Sequence, residues 1–333
     1  MDRIEELLRA AKPDDEHLSA ADDAYLKRIL AKTPAMLANK DITQRIERKS
    51  VSRKRARQRM RWLVSAAATV LVATIVVTVA GQVPAHAYAA TPPMLKTIQA
   101  NHDVATVLND LSQLSAVQPD RSTRREIVEH VWGLATKVDA QGQPVRTSVI
   151  QPEKYVYTLA AWGVAARASY ADEPYDIAGS PVVDPALPKP GTLLERDIYT
   201  EEDQPPALPP LPEDAAEFSA YFAENIPSQG EPESTTAINR VVAVMYGRTI
   251  NPRQEAGLLE YLATIPGLEL AGECEDRLSR SVYVLRSATW AEQQELLLLD
   301  ANTGHIAGYE TIYIGTSRTD IPSPAVVSYT AWE

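Results

Sequence analysis

The residues of this 333-residue chain that are best suited to acid–base chemistry lie in its last quarter. Glu273, Glu275 and Asp276 form an acidic cluster, and carboxylates this close together can act as general acid and base. A solvated turn between two strands explains the same cluster more simply, and we prefer that interpretation. His305 follows a glycine at the start of a predicted strand, where we interpret it as a surface ion-pair partner rather than a base.

Metal and thiol chemistry have little support in the spacing of the candidate ligands. The five histidines are scattered, at His17, His86, His102, His130 and His305. Zinc ligands usually lie a few residues apart, and no His-Glu-x-x-His sequence occurs. Cys274 is the only cysteine, so it cannot form an intrachain disulfide. We expect it to be a buried strand residue, with a reactive thiol as the alternative.

Motifs of nucleophilic and phosphate chemistry are missing from the sequence as well. The chain has no Gly-x-Ser-x-Gly elbow, no Ser-x-x-Lys and no glycine-rich loop ending in Lys-Ser or Lys-Thr. We therefore predict no catalytic residue, no cofactor, no metal and no enzymatic activity. An enzyme with an unrecognised site is the alternative, for example a cleft that joins perturbed carboxylates or His130 to a nucleophile.

One apolar run divides the chain into the segments whose helices and strands must position any functional site. Between Trp62 and Gly81 there is no charged residue in 20 positions, the length that a helix needs to cross about 30 Å of hydrocarbon. Residues 1–61 hold 16 Lys and Arg against 10 Asp and Glu, which places them in the cytoplasm. We predict a single-pass protein of the cell membrane, with a cytoplasmic head over 1–61, a transmembrane helix over 62–83 and an extracytoplasmic domain over 84–333.

A dense basic segment directly precedes the predicted span. Its cations are Arg53, Lys54, Arg55, Arg57, Arg59 and Arg61. Clustered cations can neutralise nucleic-acid phosphates, but beside a membrane they are better placed to bind anionic lipid headgroups. We predict the lipid bilayer as their partner and no specific nucleic-acid binding.

Three alternatives to a retained, monomeric anchor stay open. The run could be a buried helix of a soluble domain, although it is apolar on all sides. It could be part of a cleaved signal, since the small residues near Ala87 and Ala89 suit signal peptidase. Ser65, Thr69 and Ala73 recur every four residues, which would let two spans approach closely as a dimer.

The cytoplasmic head is predicted to contain two short helices. The second has an apolar face made of Leu18, Ala21, Tyr25, Ile29 and Leu30. Forty residues with narrow apolar stripes bury too little surface to fold alone. We predict that this face docks a cytoplasmic protein, with a loosely ordered tail as the alternative.

The extracytoplasmic domain is predicted to be α+β. A helix near 94–115 precedes strands over 126–138 and 154–170, which should pair antiparallel across a turn at 139–142. The segment 173–232 contains 12 of the 24 prolines. We interpret it as an inserted loop or an inter-lobe linker with little regular structure.

Helices and then strands follow. We predict helices near 213–225, 235–248 and 253–264, and strands over 268–272, 281–287, 294–299, 305–314 and 325–332. Because hairpin-length connections join these strands, they should form an antiparallel meander against which the helices pack.

Three short sequences carry a resemblance to a known family: residues 87–93 (AYAATPP), 262–268 (LATIPGL) and 300–304 (DANTG). With the basic segment, they resemble an uncharacterised family of actinobacterial single-pass membrane proteins often encoded beside extracytoplasmic-function sigma factors. The resemblance implies a link to transcriptional signalling and a sigma factor as cytoplasmic partner, but no site residues. Zinc-binding anti-sigma heads place His and Cys at ligand spacing, whereas this head has His17 and no Cys. An anti-sigma role would therefore depend on helices alone.

Three functions suit this architecture. We prefer a non-enzymatic signalling or regulatory protein whose extracytoplasmic domain is a sensor. The second is an extracytoplasmic apolar-ligand-binding or envelope-structural module that the N-terminal helix merely anchors, and an apolar cavity of several hundred Å³ would favour it. The third is the unrecognised enzyme.

Overall fold

The computed structural model describes residues 89–100, 102–134, 148–203 and 208–333. The helices within these ranges are α1 (Val104–Ala116), α2 (Ala215–Asn225), α3 (Glu233–Met245) and α4 (Pro252–Ala263). The strands are β1 (Glu126–Gly133), β2 (Val149–Ile150), β3 (Glu153–Ala160), β4 (Gly163–Ala171), β5 (Tyr175–Asp176), β6 (Leu193–Ile198), β7 (Glu269–Glu275), β8 (Ser281–Arg286), β9 (Gln293–Asp300), β10 (Ile306–Tyr313) and β11 (Ala325–Trp332).

Nine of these strands form one antiparallel sheet in the order β6-β4-β3-β1-β11-β10-β9-β8-β7. The last five strands are neighbours in chain order, because short turns let each strand fold back on the one before. The predicted α+β class and antiparallel meander are thus confirmed for the described part of the chain.

The pairing of β1 with β11 joins the two halves of the sheet, and it was not predicted. Glu129 is opposite Trp332, and Gly133 is opposite Ser328. This long-range pairing makes the start of β1 and the end of β11 adjacent at one end of the sheet.

The helices cover one face of the sheet. Along β9, Leu297 and Leu299 pack with the helices, whereas Leu296 and Leu298 belong to a second cluster on the other face. This alternation follows from the two-residue period of a strand. Phe218 and Phe222 of α2 are fully buried in the helix-side core.

The helix predicted near 94–115 begins later than expected, at Val104. The side chain of Asp103 accepts a hydrogen bond from Thr106 N at 3.0 Å and so caps the helix. Ile98 instead pairs with Glu273 of β7 through two backbone hydrogen bonds of 2.8 and 2.9 Å. The residues before the cap therefore extend the sheet edge rather than the helix.

The segment 154–170 was predicted as one strand, and this was wrong. It forms the hairpin β3–β4, which turns at Ala161 and Trp162 before Gly163. Gly163 has a φ of +132°, a conformation that glycine adopts most readily. The predicted antiparallel pairing with the strand from 126 is confirmed, because β1 pairs with β3. The expected turn at 139–142 lies outside the described residues.

The proline-rich segment 173–232 contains more regular structure than predicted. It contributes β6, which is an edge strand of the large sheet, and most of its later part is α2. Its described prolines lie outside β6 and α2, where a missing N–H removes no hydrogen bond of these elements. The segment is therefore part of the fold rather than only a loop.

The predicted head, span and processing sites largely precede the described residues. The basic segment 53–61, the docking face from Leu18 to Leu30 and the apolar run from Trp62 to Gly81 all lie outside them. Among the helices that the structure does describe, none is long and apolar enough to cross a membrane.

Candidate functional site

A cleft of about 360 Å³ opens at the end of the sheet where β1 and β10 begin and β9 and β11 end. Its walls come from the α1–β1 and α3–α4 connections, the β7–β8 and β9–β10 turns, and the last two residues. Four arginines line it: Arg121, Arg124, Arg248 and Arg280. We call it the arginine cleft.

Arg280 is the one arginine of this set with an ion pair in the described part of the chain. Its guanidinium pairs with Asp276 and also donates to the backbone carbonyl of Ala307 at 2.8 Å. Arg121, Arg124 and Arg248 have no ion pair with any described residue. Three cationic side chains are thus left to interact with water or with a ligand.

The position of Arg121 is electrostatically unfavourable for a cation. Burial lowers the pKa of its guanidinium, and the positive charge of Arg124 lowers it further. Glu255 and Asp300 act in the opposite direction. An anion in the cleft would relieve the repulsion between the two arginines.

Glu255 organises the floor of the arginine cleft. It lies in the first turn of α4, where a negative charge suits the helix dipole. Its buried carboxylate accepts hydrogen bonds from Ile306 N at 2.8 Å and from Ser115 Oγ at 3.2 Å, and it lies 2.6 Å from His305 Nδ1. One side chain therefore holds α1, α4 and β10 together.

His305 also lines the cleft, and only one of its two ring nitrogens has a hydrogen-bond partner among the described residues. Nδ1 is bound to Glu255, but Nε2 is buried with no hydrogen-bond partner among the described residues. Buried ring nitrogens are normally paired. A carboxylate-oriented histidine with an open nitrogen can accept or donate one further hydrogen bond.

The β9–β10 turn is held close to α1 by Gly304. Asp300 accepts backbone hydrogen bonds from Asn302 and Thr303 at 2.9 Å each. Gly304 has a φ of +73°, and a Cβ there would lie 2.2 Å from the carbonyl oxygen of Leu111. Only glycine allows this approach, which sets the position of His305.

Apolar side chains complete the lining: Ile127, Met245, Ile250, Ile306 and Trp332. The indole nitrogen of Trp332 donates to Glu129 at 3.1 Å. Glu129 is 1% exposed, and burial raises the pKa of its carboxyl to about 7. The wall behind Trp332 therefore contains an acid that titrates near neutral pH.

The structure gives His130 two carboxylate partners rather than a nucleophile. Nδ1 contacts Asp172, and Nε2 lies 2.8 Å from Glu333. The hydrogen bond to Asp172 raises the pKa of His130, and His130 in turn lowers the pKa of Asp172. In the described chain no serine or cysteine hydrogen bonds to this ring, so His130 is a bridging ion-pair residue.

The acidic cluster was predicted as a solvated turn, but Glu273 and Glu275 belong to β7 and only Asp276 lies in the β7–β8 turn. Glu275 is exposed, whereas Asp276 is buried and binds Arg280. Cys274 is half-buried in β7, and burial raises the pKa of its thiol to about 11. The thiol is therefore neutral at physiological pH, which disfavours reactivity.

His305 was predicted as a surface ion-pair partner, and its partner lies in the interior. Glu255 is 4% exposed, so the pair is buried beneath the cleft. Of the other histidines, His102 is exposed, and His17 and His86 lie outside the described residues. The described ranges contain no group of three or more His, Cys, Asp or Glu side chains that could hold a metal ion.

The cleft arginines were not identified from the sequence. A local signal exists, because Arg121, Arg124 and Arg125 cluster within an otherwise acidic domain. Arg248 and Arg280 have no such signal, since they reach the cleft only through the fold.

Comparisons with known proteins assign neither a family nor an activity. No protein-family model matches the chain, and no curated protein matches it. Among solved structures, the dehydratase domain from CurK module of Curacin polyketide synthase aligns over 69% of this chain and 80% of that chain, with 8% identity and a TM-score of 0.11. A TM-score this low supports no conclusion about fold or function.

Proposed function

We propose that this protein is a single-pass, membrane-anchored, non-enzymatic signalling protein whose extracytoplasmic domain senses an anionic ligand bound in the arginine cleft. The observation that carries the proposal is the set of Arg121, Arg124 and Arg248, which line a cleft of about 360 Å³ without an ion pair in the described chain. The volume lies within the range of small-molecule sites.

The engagement of the charged groups around the cleft supports an anion rather than a cation. Four carboxylates line the cleft as well as the four arginines, but all except the exposed Glu126 are already engaged. Glu255 binds His305, Glu333 binds Lys154 at 2.9 Å, and Asp300 accepts from its own turn. The arginines are the groups left available, and guanidinium forms strong paired hydrogen bonds with phosphate and carboxylate.

The lining of the cleft supports binding over covalent catalysis. Its two hydroxyl side chains are Thr249 and Thr303. Thr249 donates to the carbonyl of Ser122 at 2.8 Å, and Thr303 accepts from His305 N at 3.3 Å. Among the described residues, neither threonine hydroxyl has a hydrogen bond to a base that would activate it.

The membrane part of the proposal is drawn from the sequence. The run over 62–83 would anchor the domain, and the basic segment 53–61 would bind anionic lipid on the cytoplasmic side. The apolar face from Leu18 to Leu30 would dock a cytoplasmic partner, for which a sigma factor is our candidate. Dimerisation through the span would give ligand binding a route across the membrane.

One observation favours the alternative of an extracytoplasmic apolar-ligand module. Ile127, Met245, Ile250 and Trp332 give the cleft an apolar surface beside its charges. A neutral apolar ligand would bind there without using the arginines, so the two functions differ in their dependence on Arg121 and Arg124.

Binding and signalling can be tested on the full chain in an uncharged detergent. Calorimetric titration with inorganic phosphate should show saturable binding that the double variant Arg121→Gln/Arg124→Gln abolishes. Arg125→Gln is the matched control, because Arg125 is exposed and does not line the cleft. Equal binding by the double variant and the control would refute the anion site.

The signalling half has its own test. Crosslinking in cells should recover a cytoplasmic protein with the full chain but not with a chain lacking residues 1–40. Recovery that does not depend on the head would leave the protein as an anchored binding module.

A further inference from the structure

We infer that the ligand of the arginine cleft is a small organic phosphate monoester with an apolar body, rather than an inorganic anion. The inference rests on the proposed function and specifies its ligand class. It combines three features of the cleft: arginines that form no ion pair with a described residue, the apolar lining and the buried, unpartnered Nε2 of His305.

The arginines match a doubly charged group better than a singly charged one. Arg121 and Arg124 come from one connection, and Arg248 comes from another, so a phosphate between them could contact guanidinium groups from two directions. A phosphate monoester carries close to two negative charges at neutral pH and three acceptor oxygens. A carboxylate has only one charge and two oxygens, so it would neutralise less of the positive charge of the three arginines.

The apolar lining requires a second part of the ligand. A cleft of about 360 Å³ has the size of sites that hold small organic molecules, which is far more space than one phosphate fills. Ile127, Met245 and Ile250 are each half-buried, so part of each side chain faces solvent when the cleft is empty. An apolar body would cover this surface and gain the free energy of its burial.

His305 also lines the same cleft, and a small movement of its ring would expose the buried Nε2 to a ligand. Glu255 holds Nδ1, and Nε2 is buried without a partner in the described chain. The neutral ring could accept from a protonated phosphate oxygen there, and the charged ring could donate to an ionised one. Both states of the ring suit a phosphate group, whereas a purely apolar ligand would leave Nε2 unpaired.

Phenyl phosphate, inorganic phosphate, benzoate and phenol form a matched set of probes for calorimetric titration of the full chain in an uncharged detergent. We expect phenyl phosphate to bind at least about tenfold more tightly than inorganic phosphate or benzoate, because it engages both the arginines and the apolar lining. Phenol should bind more weakly than all three anions. Equal affinity for phenyl phosphate and inorganic phosphate would overturn the inference.

Two variants separate the contribution of the arginines to binding from that of the apolar lining. Arg248→Gln should weaken both phosphates by about tenfold or more, since each loses a guanidinium contact. Met245→Ala should weaken phenyl phosphate by about threefold to tenfold and leave inorganic phosphate unchanged. The ratio of the two affinities within one variant is unaffected by partial unfolding, which would lower both equally. An unchanged ratio in Met245→Ala would count against an apolar body.

The same titrations distinguish failure of this inference from failure of the proposed function. If both phosphates bind equally and Arg248→Gln weakens both, the anion site stands and the organic ligand class is wrong. If Arg248→Gln and the control Arg125→Gln bind both phosphates like the natural chain, both proposals fail. Tighter binding of benzoate than of phenyl phosphate would show that the ligand carries a carboxylate rather than a phosphate.

Discussion

The carboxylate of Glu255 lies 2.6 Å from Nδ1 of His305, although the two residues are 50 positions apart in the sequence. The same carboxylate accepts from the backbone of Ile306 and the hydroxyl of Ser115. Because these partners belong to β10 and α1, the pair joins the helix layer to the sheet directly beneath the arginine cleft.

Replacing Glu255 should therefore lower the stability of the domain. In Glu255→Gln one of the two acceptor oxygens becomes an NH2 donor, so either Ile306 N loses its acceptor or Ser115 and His305 both lose theirs. We expect the free energy of unfolding to fall by about 1–3 kcal/mol, measured by urea denaturation of the full chain in an uncharged detergent. Glu260→Gln, on the same helix at an exposed position, keeps an oxygen that can accept from Ser112 Oγ and should change it by less than about 0.5 kcal/mol. Equal losses would show that the buried network contributes little.

Gly304 should be irreplaceable for a steric reason. In Gly304→Ala the new Cβ would meet the backbone of Leu111 at 2.2 Å, so α1 or the β9–β10 turn would have to move. Gly191→Ala is the matched control, since Gly191 has a φ of +80° and no atom within 4 Å of the added Cβ. We expect the control to cost about 1 kcal/mol for the left-handed backbone alone and Gly304→Ala to cost clearly more. Thermal unfolding followed by circular dichroism will compare them, and equal losses would exclude the close approach as the cause.

Glu129 should make the domain less stable as the pH rises toward neutrality. Its folded pKa of about 7 exceeds the unfolded value of about 4.3. The folded state therefore binds a proton that the unfolded state releases, and this contribution is fully present below about pH 4 and lost as the pH approaches 7. Glu129→Gln can still accept from Trp332 but cannot ionise.

The pH dependence can be measured as a difference between two proteins. From pH 5 to pH 8, the unfolding free energy of Glu129→Gln should rise relative to the natural chain by about 2–3 kcal/mol. Glu126→Gln, an exposed change on the same strand, should show no such trend. A constant difference between Glu129→Gln and the natural chain across this range would mean that Glu129 is ionised throughout.

Breaking the buried pair of Arg277 and Glu310 should cost more folding stability than breaking an exposed pair. Arg277 Nε donates to Glu310 Oε1 at 2.8 Å, and the side chains are 13% and 1% exposed. Arg277→Met leaves the carboxylate buried without a cation, and we expect a loss of about 3–5 kcal/mol. Arg286→Met breaks a pair with Glu269 whose side chains are 42% and 61% exposed, and it should cost under about 1 kcal/mol.

A double variant checks the cause of that loss. Arg277→Met/Glu310→Gln removes the buried negative charge as well, so urea denaturation should show part of the lost stability restored. If the double variant is as unstable as the sum of the two single variants, lost packing of Arg277 over the ring of Tyr329 explains the effect better than the unpaired charge.

Most helices and strands could be predicted because their signals are local. The helix predicted near 253–264 corresponds to α4, which begins with a capping box between Asn251 and Gln254 and a proline at its first turn. The strand predicted over 294–299 corresponds to β9, whose leucines alternate between the two faces of the sheet.

The prediction failed where a local pattern had two interpretations. Leu95 and Ile98 continue the apolar stripe of α1, but the cap at Asp103 starts the helix later, and the preceding residues pair with β7. Likewise, the apolar residues over 154–170 suited one long strand as well as a hairpin. The choice depended on the turn before Gly163 and on pairing with a neighbour.

The sequence by itself determined the α+β class and the meander of the last five strands, because periodicity and short connections act between residues close in the chain. It also supplied the predictions of a basic head, an apolar span and an acidic domain, since charge and hydropathy can be counted along a segment. Only the tertiary structure decided that Arg121, Arg248 and Arg280 line the same cleft, that Glu255 meets His305 and that Asp276 is buried. Each of these depends on β11 pairing with β1 and on α4 packing against α1, and contacts between such distant segments leave no local pattern.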